Sequence, residues 1–272
     1  MPLSRHDLSE PIRRQLIDLA GALADAARAP TLQYFRTSAL SIDDKADPQG
    51  RFDPVTAADR AAESAIRDHL AATRPEDGIL GEEFAPTSGT SGLTWIIDPI
   101  DGTRGYMSGT PTWGVLVALA DAEGPFLGVI DQPYIGERFI GGLGQAQVSG
   151  PMGTAPLRCR PARALADAVL FSTFPEVGTP AEGAAFARVA AQARLTRYGT
   201  DCYAYALLAA GQIDLVIEAG LKPYDVAAPM AVIHAAGGIV TDWQGGDAAP
   251  GGQVLAASSP ELHAEAMALL NA

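Results

Sequence analysis

Cysteine and basic residues are scarce in this sequence of 272 residues. Its two cysteines, Cys159 and Cys202, exclude a framework of several disulfide bonds and fit a reducing compartment. Nineteen basic residues stand against 32 acidic ones, and the formal net charge of −13 argues against nucleic acid as a partner. A phosphorylated small molecule remains compatible with this charge, because bound cations can reverse the sign of the local field.

Long apolar runs are also missing. The near-apolar stretch 226–240 contains Pro229 and His234, and it is shorter than the ~20 residues that a membrane-spanning helix needs. The first residues lead into no apolar signal core. No cluster of histidine and cysteine predicts a zinc site, and no Gly-x-Gly-x-x-Gly after an early strand predicts dinucleotide binding. We therefore expect a cytoplasmic protein that binds neither membranes nor nucleic acids.

The segment 95–103, Trp-Ile-Ile-Asp-Pro-Ile-Asp-Gly-Thr, combines an apolar run with two aspartates. The apolar residues predict a buried strand that ends at Pro99, because proline cannot donate a hydrogen bond to a neighbouring strand. Asp98 and Asp101 would then lie at the strand end, where carboxylate oxygens can hold a hard cation such as Mg²⁺. The same residue pairs also occur in ordinary turns, so other parts of the chain must decide between a turn and a site.

Other acidic residues lie next to predicted secondary structure. Asp59 falls in the first turn of one predicted helix and Asp225 at the start of another, where an acid also simply complements the helix dipole. Glu82 and Glu83 follow the short predicted strand 78–80. Adjacent glutamates on an exposed turn are usually solvated, but after a buried strand one of the two can point inward to a cation. Glu63, one turn after Asp59, is expected to be an ordinary acid that faces solvent.

Four segments resemble motifs of one protein family. Asp-Pro-Ile-Asp-Gly-Thr at 98–103 resembles the signature of the inositol monophosphatase family. Members of this family are Mg²⁺-dependent phosphomonoesterases. The other three are Val-Thr-Ala-Ala-Asp-Arg at 55–60, Gly-Glu-Glu at 81–83, and Asp-Val-Ala-Ala at 225–228, preceded by Tyr224 where the family usually has tryptophan. The resemblance covers nearly the whole chain and implies the layered αβαβα fold of this family.

The resemblance also implies roles for individual residues. The implied catalytic residues, of which the first two activate the attacking water, are Asp59, Thr103 and Glu82. The implied ligands of two or three Mg²⁺ ions are Glu82, Asp98, Ile100 (through its carbonyl oxygen), Asp101 and Asp225. The residues implied to bind phosphate or the rest of the substrate are Gly102, Thr103, Asp201 and Glu218.

The implied reaction is hydrolysis of a phosphate monoester without a covalent phosphoenzyme. Mg²⁺ would screen the phosphate charge, lower the pKa of a bound water and stabilise the leaving oxygen. The implied ligands are all oxygen atoms, which is typical of sites for hard cations. The family further implies a homodimer, and the apolar segment 113–119 is a candidate for its interface.

The predicted elements differ between the two halves of the chain. Strands at 113–119, 126–130 and 138–140 follow one another without helices, which indicates an antiparallel sheet and an α+β first half. Later strands and helices alternate, which indicates an α/β second half with helices on both faces of a sheet. We expect an α/β fold overall. One subdomain, 1–155, would carry most metal ligands, and the other, 156–272, the substrate-binding residues and the last metal ligand.

Two regions resemble the histidinol-phosphate phosphatase branch of the family. One is Leu-Gly-Val-Ile-Asp-Gln-Pro at 127–133 with Gly-Glu-Arg at 136–138, and the other is Asp-Cys-Tyr-Ala-Tyr-Ala-Leu-Leu at 201–208. Histidinol carries an ammonium group and an imidazole, which Asp201 and Glu218 would attract more strongly than they attract a neutral polyol. Inositol-specific relatives usually have a small uncharged residue where this chain has Asp201.

Three aromatic residues are candidates to pack on an imidazole, although such residues more often belong to a core: Tyr203, Tyr205 and Trp113. Histidinol phosphate is therefore the predicted substrate. Inositol 1-phosphate is the main alternative, followed by sugar and nucleotide phosphates. A catalytically silent scaffold on the same fold is the alternative outside enzymes, because fold does not imply function.

Overall fold

The computed structural model describes residues 3–44 and 54–272. The helices in these residues are α1 (Glu10–Tyr34), α2 (Ala57–Thr73), α3 (Thr103–Met107), α4 (Pro180–Ala190), α5 (Cys202–Ala209), α6 (Pro223–Ala235) and α7 (Pro260–Leu270). The strands are β1 (Ile42–Asp44), β2 (Pro54–Thr56), β3 (Gly78–Gly81), β4 (Thr94–Asp101), β5 (Gly114–Asp121), β6 (Gly124–Gln132), β7 (Glu137–Gly142), β8 (Gln145–Gly150), β9 (Gly153–Pro156), β10 (Val169–Ser172), β11 (Leu195–Tyr198), β12 (Leu215–Leu221), β13 (Ile239–Thr241) and β14 (Gly252–Ala257). Within these residues, none of the helices combines the length and the apolar character needed to cross a lipid bilayer.

The described strands form two large sheets. In the first, strands β3 to β9 lie in sequence order, and every neighbouring pair is antiparallel except β3 and β4, which are parallel. The second has the order β11-β10-β12-β14-β13, with β10 parallel to both of its neighbours and β14 antiparallel to both of its own. Strands β1 and β2 form a separate antiparallel pair.

Helices and sheets alternate in five layers. An apolar cluster that includes Ile66 and Val117 packs α1 and α2 on one face of the first sheet. A second cluster packs α5 and α6 between the two sheets and includes Val232. A third, with Phe186 and Leu262, packs α4 and α7 on the outer face of the second sheet. The predicted αβαβα fold is confirmed.

Strand β5 is buried on both faces. Val115, Val117 and Leu119 belong to the cluster under α1 and α2, whereas Leu116 and Ala118 belong to the cluster with α5 and α6. Apolar side chains are therefore required on both faces from residue 115 to residue 119, which explains the apolar run there. The segment offers no surface to a partner, and its predicted place at a dimer interface was wrong.

Strand β4 continues past Pro99, contrary to the prediction that it ends there. Asp98 pairs with Leu116 of β5, but the next pair joins Asp101 to Gly114. The register shifts between these two pairs, which leaves Pro99 outside the regular pairing, so its missing N–H costs the sheet no hydrogen bond. The irregularity also determines how Asp98 and Asp101 are presented at the end of the strand.

Candidate active site

A cavity of about 370 Å³ opens where β4, β10 and β12 end and where α3, α5 and α6 begin. Nine of the ten residues to which the sequence assigned a site role line it: Glu82, Asp98, Ile100, Asp101, Gly102, Thr103, Asp201, Glu218 and Asp225. The tenth, Asp59, is fully buried and lies behind Thr103. Residues that are up to 143 positions apart (Glu82 to Asp225) are thus brought to one place.

Three carboxyl groups in the cavity are close enough to share a cation. One oxygen each from Asp98, Asp101 and Asp225 lies within 4.8 Å of the others. The shifted register of β4 supplies the first two, and the first turn of α6 supplies the third. Glu82 lines the same cavity, and its charge acts on both Asp98 and Asp225. Oxygen donors in this arrangement fit a hard divalent cation.

The charge state of these groups reflects burial and mutual repulsion. Burial raises the pKa of Asp98 well above its ordinary value, and the charges of Glu82 and Asp101 raise it further. Burial likewise raises the pKa of Asp101, with the charge of Asp201 adding to the effect. The pKa of Asp225 rises to about 7, mainly through burial. Without a cation these groups bind protons more readily than ordinary carboxyl groups do, whereas a bound cation would favour their ionised form.

Thr103 and Asp59 are placed to act as a pair. The Asp59 Oδ2 atom accepts hydrogen bonds from the Thr56 N–H at 2.8 Å and the Thr56 hydroxyl at 2.5 Å. The Thr103 hydroxyl lies 3.5 Å from Asp59 Oδ1 and 3.1 Å from the Ile100 carbonyl oxygen. Its single proton can be donated to one of these at a time, which leaves its lone pairs for a hydrogen bond from water.

Asp201 occupies space that Gly102 leaves open. A Cβ atom at residue 102 would lie 2.7 Å from Asp201 Cγ, and Gly102 has a φ of 87°. Asp201 itself has a φ of 45°, which is uncommon for a residue with a side chain. Burial raises its pKa to about 6, although the hydrogen bond with Thr112 and the charge of Arg104 lower it. The aspartate is thus held against the turn predicted to bind phosphate.

Glu218 also lines the cavity, from a position within β12 just before the register of that strand shifts. Its Oε1 atom accepts hydrogen bonds from both the N–H and the hydroxyl of Thr173, each at 2.8 Å. Burial raises its pKa to about 8, while the Thr173 hydrogen bonds lower it and the charges of Asp201 and Asp225 add to it. A cationic group of a ligand would find two carboxyl groups here, Asp201 and Glu218.

Of the three aromatic residues expected near an imidazole, Tyr205 lines the cavity and the other two do not. The buried Tyr205 hydroxyl has no hydrogen-bond partner within the described part of the chain. Trp113 packs edge-to-face on Tyr106, with ring centroids 4.9 Å apart, in a separate apolar cluster. Tyr203 donates a hydrogen bond to Glu137 at 2.7 Å. The proposed packing of Tyr203 and Trp113 on a substrate was wrong.

The two regions that resemble the histidinol-phosphate phosphatase branch contact each other at the wall of the cavity, to which Cys202 belongs. Besides the Tyr203–Glu137 hydrogen bond, Gln132 Nε2 lies 3.5 Å from Cys202 Sγ. The Cys202 backbone N–H donates to Asp101 Oδ2 at 2.6 Å. These residues therefore link the first sheet to the start of α5 and to a predicted metal ligand, which a search for ligand-contacting residues alone does not detect.

Glu63 is the residue that sequence reasoning placed wrongly. It is fully buried rather than facing solvent. Its carboxylate accepts the Glu83 N–H at 2.7 Å and forms an ion pair with Arg67 at 2.8 Å. A Cβ atom at residue 81 would overlap the Glu63 carboxylate, so a side chain there would displace that carboxylate from its present position. Glu63 thus supports the turn that carries Glu82, and its i,i+4 spacing to Arg67 was the signal in the sequence.

Comparison with known proteins gives a consistent result. The model of the inositol monophosphatase family matches residues 13–272. The bifunctional phosphatase IMPL2 of Arabidopsis thaliana is 37% identical over 97% of this chain and 77% of its own length. A histidinol-phosphatase of Streptomyces coelicolor is 36% identical over 93% and 96%. An inositol monophosphatase structure from Zymomonas mobilis aligns with a TM-score of 0.81 and 36% identity, covering 95% and 98%.

Glu63→Ala tests the support of the Glu82 turn. We expect the affinity for Mg²⁺ to fall by about 10- to 100-fold, because residues that position a metal ligand contribute on this scale. Glu63→Gln keeps an oxygen acceptor for the Glu83 N–H and should lose less. Calorimetric titration with Mg²⁺ provides the measurement. Glu10→Ala, which removes an exposed i,i+4 pair with Arg14, is the matched control. Unchanged affinity in a folded Glu63→Ala protein would contradict the assignment.

The pH dependence of stability tests the crowding of the carboxyl groups. The pKa of Asp225, about 7, lies above its ordinary 3.8. This group therefore stabilises the folded chain at low pH, and the contribution is lost as the pH rises through 7. Urea denaturation in chelator should show a smaller decline in stability between about pH 5 and pH 8 for Asp225→Asn than for the wild type. Asp68→Asn, at an exposed position, should keep the wild-type decline, and a steeper decline in Asp225→Asn would contradict the prediction.

Proposed function

Since the chain belongs to the inositol monophosphatase family and is therefore a phosphatase, we propose that it hydrolyses histidinol phosphate to histidinol and phosphate with the help of Mg²⁺. The supporting observation is that one cavity joins the carboxyl cluster to Asp201 and Glu218. The cluster suits the metal ions of a phosphatase, and the two additional acids suit a cationic leaving group. Similarity to proteins named histidinol-phosphatase supports the same substrate.

The residues that would hold two or three Mg²⁺ ions are Glu82, Asp98, Asp101, Asp225 and, through its carbonyl oxygen, Ile100. When bound, such ions lower the pKa of a coordinated water and offset the charge on the leaving oxygen. We propose that Thr103 orients the attacking water while donating its own proton to Asp59 Oδ1, 3.5 Å away. The backbone N–H groups of Gly102 and Thr103, at the start of α3, would bind the phosphate oxygens.

Recognition of histidinol would rest on charge. Its ammonium group is on the carbon next to the one that bears the phosphate. When the phosphate is bound at the carboxyl cluster, the ammonium group would therefore lie close to the cavity wall. Glu218 is held there by Thr173, and the charge of Asp201 reaches Glu218. A neutral polyol would leave these buried carboxyl groups without a cationic partner. The predicted homodimer, the cytoplasmic location and the two subdomains stay predictions.

Inositol 1-phosphate is the second candidate. The observation in its favour is the 36% identity to the Zymomonas mobilis inositol monophosphatase over nearly the full length of both chains. The same carboxyl cluster and the same phosphate-binding turn would serve that substrate. The two candidates therefore differ in what Asp201 and Glu218 contact, and a direct comparison of substrates separates them.

Phosphate release with Mg²⁺ tests the proposal. We expect kcat/KM for histidinol phosphate to exceed that for inositol 1-phosphate by about 100-fold or more, because the acidic groups would lack a partner in the inositol ester. Chelator should stop the release. Asp98→Asn should abolish it while the protein stays folded, since the change removes a cation ligand and no apolar contact.

Equal or reversed preference would favour inositol 1-phosphate and contradict the role of Asp201 and Glu218. Release from neither ester would leave sugar and nucleotide phosphates to be measured. A folded wild-type protein with no release from any of these esters would indicate the silent scaffold. Wild-type turnover in Asp98→Asn would contradict the metal assignment, whichever substrate is preferred.

A further inference from the structure

Phe174 is an exposed aromatic side chain inside a functional cavity. It lines the cavity, yet it is 42% exposed. Among the large apolar side chains that are exposed in the described residues, it is the one that lines this cavity. An exposed ring at a ligand-binding wall leaves apolar area that a bound group can cover.

The backbone around Phe174 is anchored. Thr173 donates two hydrogen bonds of 2.8 Å to Glu218, and Ser172 Oγ lies 3.4 Å from the Phe174 carbonyl oxygen. Phe174 is therefore fixed one residue away from the group that holds Glu218. A ligand whose cationic group contacts Glu218 would therefore lie in the same cavity as the Phe174 ring and close to the segment that carries it.

Arg104 completes the wall. Its guanidinium carbon lies 4.9 Å from the centroid of the Phe174 ring, and Arg104 also lines the cavity. A stacked guanidinium and phenyl ring present flat surfaces, on which a planar group packs better than a puckered ring does. Arg104 directly follows Thr103 of the predicted phosphate turn, and Phe174 directly follows Thr173, which holds Glu218. The pair is therefore connected along the chain to both parts of the cavity.

We propose that Phe174, stacked with Arg104, is a binding subsite for a flat aromatic ring on the leaving group of the substrate. The inference rests on the proposed function, in which the ring is the imidazole of histidinol. Phe174 would thus determine specificity through the ring, while Glu218 contacts the ammonium group. Tyr203 and Trp113, to which the sequence assigned this task, lie outside the cavity.

The test compares two esters that differ only in the ring and the methylene group that carries it. 2-Aminoethyl phosphate has the phosphate and ammonium of histidinol phosphate but lacks the imidazolylmethyl group. In Phe174→Leu, which keeps an apolar side chain of similar size, we expect the ratio of kcat/KM for histidinol phosphate over 2-aminoethyl phosphate to fall by about tenfold. Phe174→Tyr should restore most of the ratio, because it keeps the aromatic face.

Tyr134→Ala is the matched control. Tyr134 is also about half exposed, at 47%, and has an arginine, Arg36, 4.6 Å from its ring centroid, but it does not line the cavity. The Tyr134→Ala variant should have the wild-type ratio of kcat/KM for histidinol phosphate over 2-aminoethyl phosphate. An unchanged ratio in Phe174→Leu, or an equal loss in Tyr134→Ala, would overturn the proposal.

A second pair of esters separates this proposal from the proposed function. If the wild type does not prefer histidinol phosphate over inositol 1-phosphate, the proposed function fails. Benzyl phosphate and ethyl phosphate then test the subsite, since they differ in a phenyl ring and carry no ammonium group. Phe174→Leu should lower the ratio of kcat/KM for benzyl over ethyl phosphate, and an unchanged ratio would overturn the subsite independently.

Discussion

Repulsion among the buried carboxyl groups of Asp98, Asp101 and Asp225 has to be offset if the cavity is to exist near neutral pH. With oxygens within 4.8 Å of one another, these groups ionise together only when a cation or protons balance them. The raised pKa values are the visible sign of this constraint. The arrangement is costly without a ligand and favourable with a divalent cation, as expected of a metal-dependent family of phosphatases.

The layered fold holds these groups together from both halves of the chain. The register shift in β4 turns Asp98 and Asp101 towards the cavity, and the start of α6 brings Asp225 to them. The hydrogen bond from the Cys202 N–H to Asp101 joins the second half directly to the cluster. Glu63 supports the turn that carries Glu82, because its carboxylate accepts a hydrogen bond from the Glu83 N–H. Hydrogen bonds among the residues of the cavity wall and behind it therefore help to determine the geometry of the cavity.

The resemblance to family motifs implied the fold and nine of the residues that line the cavity. The predicted strand ends and helix starts alone gave positions only for acids such as Asp98, Asp101 and Asp225. The sequence could not show that β4 continues past Pro99, since that depends on pairing with β5. The i,i+4 spacing of Glu63 to Arg67 indicated an ion pair, but the burial of Glu63 could not be predicted from it, because its other partner, Glu83, lies 20 positions away. Phe174 was missed since exposure of a single aromatic residue depends on the tertiary packing around it.

Calorimetric titration of Mg²⁺ in two buffers of different ionisation enthalpy would test the central claim most directly, because it counts the protons released on binding. Near pH 7, where Asp225 is partly protonated, Mg²⁺ binding should release protons from the cluster. Asp225→Asn should bind more weakly and release fewer. Binding without proton release, or the absence of Mg²⁺ binding by folded wild-type protein, would contradict the assignment of these carboxyl groups as the cation site.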